Sequence, residues 1–191
     1  MSRRTLVVLA VWLAALAGVE AWGQDSPAKD SPAEPSGYRM QDYRGPTPAT
    51  LAGARVVTTA QAEELWKAGA IFVDVLPHLA RPANLPPGTI WREQARMNIP
   101  GSIWLPDTGY GALTPATESY LATNLDRATS GDRAKWLVVY CRQDCWMSWN
   151  AAKRVLTMGY RNVAWYPKGT DGWEASGLPL QDAKPAPADG E

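Results

Sequence analysis

The sequence predicts an α/β fold in which a parallel sheet is flanked by helices. Strand-like and helix-like segments alternate through the middle of the chain, which is the pattern of this class. Two largely apolar runs, Ile71–Val75 and Trp136–Tyr140, are typical of strands buried in the centre of a parallel sheet. Helix start signals stand between the runs. No internal repeat is visible, and the length of the chain predicts a single domain.

The first half of this domain begins with a short β-rich run, Arg55–Val57. Thr58 follows, with Gln61 three residues later, which is the spacing of a capping box at a helix start. Apolar residues then recur at helical spacing as far as Gly69, a residue suited to a helix C-terminus. After the Ile71–Val75 strand, Ile103–Leu105 indicates another short strand.

The second half contains a helix that begins at Thr114, because proline at the next position is favoured in the first helical turn. The Trp136–Tyr140 run follows as the strongest strand signal. A helix is then predicted from about Ser148 to Gly159, and Asn162–Tyr166 indicates a last strand.

Residues 1–23 have the pattern of a secretory signal peptide. Arg3 and Arg4 precede an apolar run, Leu6–Val19, and small residues at the end of the segment favour cleavage before Gln24. The alternative is an uncleaved membrane anchor, but the run is shorter than the roughly 20 apolar residues that a spanning helix needs. We therefore predict an exported, periplasmic protein.

The segments on either side of the domain are polar and rich in proline. Residues 24–37 contain no apolar residue larger than alanine, so they cannot bury enough surface to offset the entropy of ordering. We expect a disordered tether there and a disordered tail over residues 182–191. The folded domain then spans residues 38–181, with a proline-rich insertion near residues 77–97.

The composition excludes several classes of protein. Lysine and arginine number 19, as do aspartate and glutamate, and this balance argues against a partner held by nucleic-acid phosphates. Two cysteines and one histidine are too few for a zinc-ribbon or zinc-finger site. We expect no metal, no cofactor, no nucleic acid and, once the signal is cleaved, no membrane contact.

The most informative segment is the loop after the Trp136–Tyr140 strand. Cys141 stands at the carboxyl end of a buried strand and before a helix, the edge where open α/β sheets bind ligands. Backbone N–H groups and the helix dipole at such a place stabilise an anion, so we predict a depressed pKa for the Cys141 thiol. The alternative is a buried structural cysteine.

Five blocks in order resemble a rhodanese domain. They are Val56-Val57-Thr58, Phe72-Val73-Asp74-Val75, Asn98-Ile99-Pro100-Gly101-Ser102-Ile103, the stretch from Tyr140-Cys141-Arg142 to Gly159-Tyr160-Arg161-Asn162-Val163, and Gly169 to Leu180. The Cys-Arg-Gln-Asp-Cys-Trp stretch and the export signal are also similar to periplasmic rhodanese relatives with a Cys-Trp motif, which are associated with pyrroloquinoline-quinone-dependent alcohol catabolism.

The resemblance implies a persulfide-carrying role for Cys141. Cys145, which the ordinary family lacks, is a candidate second catalytic cysteine. The substrate would be a small sulfur-containing anion or a thiol, bound by the residues around the two cysteines. These residues are Arg142, Gln143, Asp144, Trp146, Met147 and Ser148.

Three features depart from the family pattern. The stretch from Cys141 to Gly159 is one residue longer than is usual in sulfurtransferases, and is similar to the loop of rhodanese-related phosphatases. The basic residue that normally faces the substrate anion is absent, because Trp146 or Met147 stands in its place. A substrate anion would lose a charge-assisted hydrogen bond worth roughly 1.5–3 kcal/mol. Asn98 stands where the family has histidine.

Cys145 has three possible roles. In an exported protein it can form a disulfide with Cys141, since two cysteines four positions apart tend to be oxidised there. It can instead resolve a persulfide or sulfenic acid on Cys141, or simply pack beneath the loop.

Among other candidates, Lys168 and Asp171 flank the closing turn, and His78 is more typical of an exposed loop residue than of a catalytic or metal-binding one.

The leading functional hypothesis is sulfur transfer or thiol exchange at Cys141. One alternative is a non-catalytic accessory module that binds a periplasmic quinoprotein dehydrogenase or its cytochrome. Another is a thiol–disulfide switch formed by Cys141 and Cys145.

Overall fold

A computed structural model of the chain describes residues 31–79, 81–92 and 94–188. The predicted signal peptide, 1–23, lies outside the described residues, as do residues 24–30 of the predicted tether and residues 189–191. Within the described part of the chain, no helix is both long enough and apolar enough to cross a membrane.

The centre of the domain is a parallel sheet of five strands in the order β1-β6-β5-β2-β4. Four helices flank it, which confirms the predicted fold class. The strands are β1 (Arg55–Val56), β2 (Ile71–Asp74), β3 (Arg96–Asn98), β4 (Ile103–Trp104), β5 (Leu137–Tyr140), β6 (Val163–Tyr166) and β7 (Gln181–Ala183). The helices are α1 (Thr59–Lys67), α2 (Pro115–Thr129), α3 (Trp146–Thr157) and α4 (Gly169–Ala175).

The predicted helix starts agree with the observed caps. The Gln61 N–H donates to Thr58 Oγ1 (3.3 Å), and the Thr58 N–H donates to Gln61 Oε1 (3.0 Å), so the capping box before α1 is complete. Thr114 caps α2 by accepting from the Thr117 N–H (3.2 Å). The helix predicted from Ser148 begins two residues earlier, at Trp146, directly after the loop.

The sheet separates two hydrophobic clusters, because side chains alternate along each strand. Leu137 and Val139 of β5 face the cluster beneath α2 and α3, while Val138 and Tyr140 face the cluster beneath α1 and α4. All four residues of β5 are buried. Because β5 is the central strand of the sheet, the residues that follow it lie at the middle of the sheet's carboxyl edge.

The prediction of a disordered C-terminal tail is wrong for residues 182–188. β7 pairs antiparallel with β3, which is part of the predicted insertion. Farther along, the Ala186 N–H donates to the Trp104 carbonyl (2.8 Å), and the Tyr120 hydroxyl donates to the Ala186 carbonyl (2.9 Å). Main-chain hydrogen bonds order this segment, and its polar composition gives no signal for them.

The end of the predicted tether is also held against the domain. The Glu34 carboxylate accepts from Thr50 Oγ1 (2.9 Å) and from the Ala52 N–H (2.8 Å). Lys153 Nζ donates to the carbonyl of Ser36 (2.8 Å). The expectation of disorder therefore fails for residues 31–37, because charged side chains and backbone groups replace the apolar burial that the segment lacks.

Candidate functional site

The candidate site is the loop of residues 141–145, here called the cysteine loop, between β5 and α3. Cys141 directly follows the last residue of β5, and Cys145 is the N-cap residue of α3. The strand, loop and helix are therefore arranged as the sequence predicts. Asp144 adopts a left-handed backbone conformation (φ 54°), which aspartate tolerates better than most residues and which turns the chain into the helix.

Cys141 and Cys145 form a disulfide, with Cα atoms 6.3 Å apart. Of the roles predicted for Cys145, the disulfide is the one that the structure contains. Both cysteines are buried, with 0% and 2% of their surface exposed. The depressed pKa expected for Cys141 stays a prediction, because a disulfide-bonded sulfur does not titrate.

Helix α4 contacts the cysteine loop from one side. The Thr170 N–H donates to the Cys141 carbonyl (3.1 Å). Gly169 has a positive φ of 50°, and a Cβ at this position would overlap the Cys141 carbonyl. Only glycine allows the start of α4 to approach the loop this closely.

Asp171 of α4 binds two donors of the cysteine loop. Arg142 Nε–H donates to Asp171 Oδ1 (3.0 Å), and the Gln143 N–H donates to Asp171 Oδ2 (3.3 Å). Arg142 and Gln143 are exposed residues that the sequence assigns to substrate binding. In this structure the Asp171 carboxylate accepts the hydrogen bonds of these two donors, so they are not available to a substrate.

The segment Tyr43–Gly45, here called the N-terminal strap, lies along the other side of the loop. Arg44 forms an antiparallel bridge with Cys145. The Gly45 N–H donates to the Asp144 carbonyl (2.9 Å), and the Trp146 N–H donates to the Tyr43 carbonyl (2.9 Å). The strap thus uses backbone groups on both sides of Cys145.

The first residues of α3 point into the protein rather than into an open pocket. Met147 and Ser148 are buried, Met147 against Gly109 and Ser148 beside Trp165, whose Nε1–H donates to Ser148 Oγ (3.0 Å). Both side chains are thus held inside the protein, and their contact with a substrate stays a prediction. Trp146 is also buried, and the guanidinium of Arg39 lies 5.2 Å from its ring centroid.

A pocket of about 360 Å³ opens beside the loop at the carboxyl end of the sheet. Arg96 lies in it and forms a buried ion pair with Asp74 (Nε to Oδ2, 2.6 Å). Burial raises the pKa of Asp74, and the charge of Arg96 opposes this rise. The residues around the pocket are Leu76, Pro77, His78, Leu79, Gln94, Ala95, Arg96, Met97, Trp104, Arg142, Thr170, Asp171, Glu174 and Leu180.

His78 and Lys168 are the other residues that the sequence singles out. The His78 ring packs edge-on against Trp104 with ring centroids 5.7 Å apart. Lys168 precedes α4 as its N-cap residue. Among the described residues, no group of three or more His, Cys, Asp or Glu side chains is arranged to hold a metal ion.

Residues 58–176 match the model of the rhodanese-like domain, which covers more than half of the chain. The chain belongs to the rhodanese family. This match covers the strand-end Asp74, the cysteine loop and helix α4. The fold is thus a single rhodanese-like domain, and the family expected from the sequence motifs is confirmed.

Solved structures give distant matches to this chain. A thiosulfate sulfurtransferase from Pseudomonas aeruginosa is 21% identical, with a TM-score of 0.46; the match covers 69% of this chain and only 21% of that one. A polysulfide-sulfur transferase from Wolinella succinogenes is 20% identical, with a TM-score of 0.45 and coverage of 70% and 82%. A rhodanese-like domain from Anabaena is 17% identical, with a TM-score of 0.42 and coverage of 74% and 90%. No curated protein matches.

Two parts of the candidate site could not be predicted from the sequence. Neither the N-terminal strap nor Arg96 carries a local signal, because the strap has no strand pattern and Arg96 stands in a proline-rich segment. Their partners, Cys145 and Asp74, are distant in the sequence. The sequence places Asp171 only beside the closing turn, and its hydrogen bonds to the loop follow from the three-dimensional structure.

Proposed function

We propose that this protein is an exported rhodanese in which Cys141 carries sulfur or exchanges with disulfides, with Cys145 as its redox partner. The Cys141–Cys145 disulfide at the end of β5 carries the proposal. It joins the cysteine at the family's sulfur-carrying position to a second thiol that can close on it. The pocket beside the loop offers room for a small substrate.

The chemistry starts with reduction of the disulfide by two external thiols, which become a disulfide themselves. The Cys141 thiolate then attacks the outer sulfur of a persulfide or polysulfide donor and releases the shortened donor as a thiolate. An acceptor thiolate can take the outer sulfur from Cys141 and leave the Cys141 thiolate. Alternatively, Cys145 attacks the inner sulfur, which releases hydrogen sulfide and re-forms the disulfide.

Thiol mapping by mass spectrometry tests this proposal. The reduced Cys145→Ser variant, incubated with the persulfide of cysteamine, is expected to gain one sulfur atom on Cys141 that cyanide releases. Cys141→Ser is the matched control and is expected to gain none. If the wild-type and Cys145→Ser proteins acquire no sulfur and exchange with no thiol, sulfur chemistry at Cys141 is ruled out.

Export is part of the proposal and rests on the pattern of residues 1–23. N-terminal sequencing of the protein from a periplasmic extract is expected to begin at Gln24. Recovery of the full chain from the cytoplasm would contradict export.

A second candidate is a non-catalytic accessory module for periplasmic quinoprotein alcohol oxidation. It is favoured by the occupation of loop donors by Asp171 and by the burial of both cysteines. In this case a quinoprotein dehydrogenase or its cytochrome is expected to co-purify from periplasm with wild type and with Cys141→Ser alike. Capture of neither protein by wild type would eliminate this candidate.

A thiol–disulfide switch is the remaining alternative. It predicts that Cys141 and Cys145 interconvert between dithiol and disulfide in glutathione buffers without gaining sulfur. The mass measurement above distinguishes the two outcomes directly, because a persulfide adds mass and a disulfide removes two hydrogens.

A further inference from the structure

Asp171 stands where an anionic substrate would find its donors. Its two carboxylate oxygens accept from a guanidinium N–H of Arg142 and from the backbone N–H of Gln143. A guanidinium next to a backbone N–H is a typical cradle for an oxyanion such as a sulfonate or a carboxylate. Asp171 therefore binds the loop as a substrate anion would.

The remaining charges in the pocket do not restore an attraction for anions. Arg142 pairs with Asp171, and Arg96 pairs with the buried carboxylate of Asp74. Glu174 adds a further carboxylate to the pocket wall. At the pocket, these two arginines thus face three carboxylates. Arg44 lies in the strap and donates to the Gln143 carbonyl (3.0 Å), outside the pocket lining, so an anion that enters the pocket is repelled.

We infer that Asp171 selects against substrates with an anionic group near the reacting sulfur, and that the loop exchanges with neutral or cationic thiols and disulfides. This inference rests on the proposed thiol chemistry of the cysteine loop and specifies its substrate class. Aminothiols and uncharged dithiols meet the requirement, whereas thiosulfate and sulfonated or carboxylated thiols do not.

The exchange itself follows ordinary thiol–disulfide chemistry. The thiolate of the substrate attacks one sulfur of the Cys141–Cys145 bond, forms a mixed disulfide with it, and releases the other cysteine as a thiolate that takes up a proton. A second substrate thiol cleaves the mixed disulfide. Two substrate thiols are thereby oxidised to one disulfide, and the two electrons reduce Cys141 and Cys145.

The test is the rate at which monothiols of different charge reduce the disulfide of the full protein. Cysteamine is cationic, 2-mercaptoethanol is neutral and 2-mercaptoethanesulfonate is anionic. The reaction is stopped with an alkylating reagent, and the fraction of reduced protein is measured by mass spectrometry. Each rate is then divided by the concentration of the thiolate form of the thiol. At low salt the wild type is expected to react about tenfold faster with cysteamine than with the sulfonate, and added salt is expected to narrow this ratio.

The key variant is Asp171→Asn, which removes the charge and keeps an oxygen that can accept from the loop. It is expected to reduce the cysteamine-to-sulfonate ratio about threefold or more. Glu118→Gln is the control, because it removes the same charge at an exposed helical residue, on α2, that does not line the pocket. This control is expected to leave the ratio within about twofold of wild type.

Two results would overturn the inference: equal rates with all three thiols, or equal shifts of the cysteamine-to-sulfonate ratio in the two variants. Should Asp171→Asn fail to fold, the salt dependence of the wild-type ratio decides, since a ratio that salt leaves unchanged is not electrostatic. Failure of the proposed function looks different: no thiol of any charge reduces the native protein, and Cys141 acquires no sulfur from any donor.

Discussion

Arg96 connects three parts of the molecule through one side chain. Its Nε–H donates to Asp74 Oδ2 (2.6 Å) at the end of β2, while its Nη1 lies 3.5 Å from Thr170 Oγ1 at the start of α4. Asp74 also accepts from the Leu76 N–H (3.0 Å). Asp74 is fully buried, so its charge depends on the guanidinium, and the insertion that supplies Arg96 is thereby anchored to the sheet.

Replacement of Arg96 by methionine is expected to destabilise the protein by about 3–5 kcal/mol at neutral pH, since it leaves the buried Asp74 carboxylate without its positively charged partner. Loss of Arg96 raises the pKa of Asp74 further, so the folded state holds its proton more tightly than the unfolded state. The penalty therefore shrinks as the pH falls through this raised pKa. Urea denaturation at neutral and mildly acidic pH measures both effects.

The control is Arg92→Met, at an exposed position in the same insertion, which is expected to change stability by no more than about 0.5 kcal/mol. An Arg96→Met protein as stable as this control, or one that loses more stability in acid than at neutral pH, would contradict the role given to the ion pair.

At the scale of elements, the cysteine loop is held between the N-terminal strap and helix α4. The strap pairs with the loop on one side, and α4 binds it on the other. Because the disulfide lies between them, access to its sulfurs depends on local opening rather than on global unfolding.

Gly45→Pro tests this dependence. The proline has no N–H to donate to the Asp144 carbonyl, and its fixed φ near −65° is incompatible with the observed 155°. Loss of one such hydrogen bond, worth about 1 kcal/mol, is expected to speed reduction of the disulfide by dithiothreitol at least about fivefold.

Gly37→Pro lies in the same N-terminal region but outside the strap pairing, and serves as the control. It is expected to leave the rate of reduction unchanged. Equal rates in both variants and wild type would mean that the strap does not limit access to the disulfide.

Elements with a local origin are those that the sequence predicts well. The caps at Thr58 and Thr114 and the apolar runs of β2 and β5 lie within a few residues, and each agrees with the structure. β3 and β7 instead stabilise each other across a long stretch of chain. The strap depends in the same way on Cys145, so these pairings could not be read from local patterns.

The same distinction holds within the candidate site. Cys141 and Cys145 are identified by their spacing at a strand end, and their disulfide agrees with one of the roles expected for Cys145. The inward direction of Met147 and Ser148 depends on where α3 begins and which face it packs, which the sequence pattern placed two residues too late.

On the scale of the whole molecule, the disulfide contributes little to the free energy of unfolding. Two hydrophobic clusters hold the sheet between its helix layers, whereas the bond joins residues only four positions apart. A cross-link over so short a loop restricts the unfolded chain little, and contributes only about 2 kcal/mol. The reduced protein is therefore expected to keep its fold.

Calorimetry with and without reductant measures this contribution. Reduction is expected to lower Tm by no more than about 4–8 °C, with unfolding still cooperative. Loss of the cooperative transition on reduction would show that the cores depend on the disulfide, and a catalytic cycle through the dithiol would then be untenable.

The C-terminal segment has a consequence for self-association. β4 is an edge strand, and Pro185 lies beside its Trp104 in a parallel bridge, with Ala186 bonded to the same residue. An open edge invites the strand of another copy, but a proline cannot donate to it. The last described residues thus cover the β4 edge and keep further strands from pairing with it. Removal of these residues by a protease is expected to expose the edge, so that the still-folded chain aggregates.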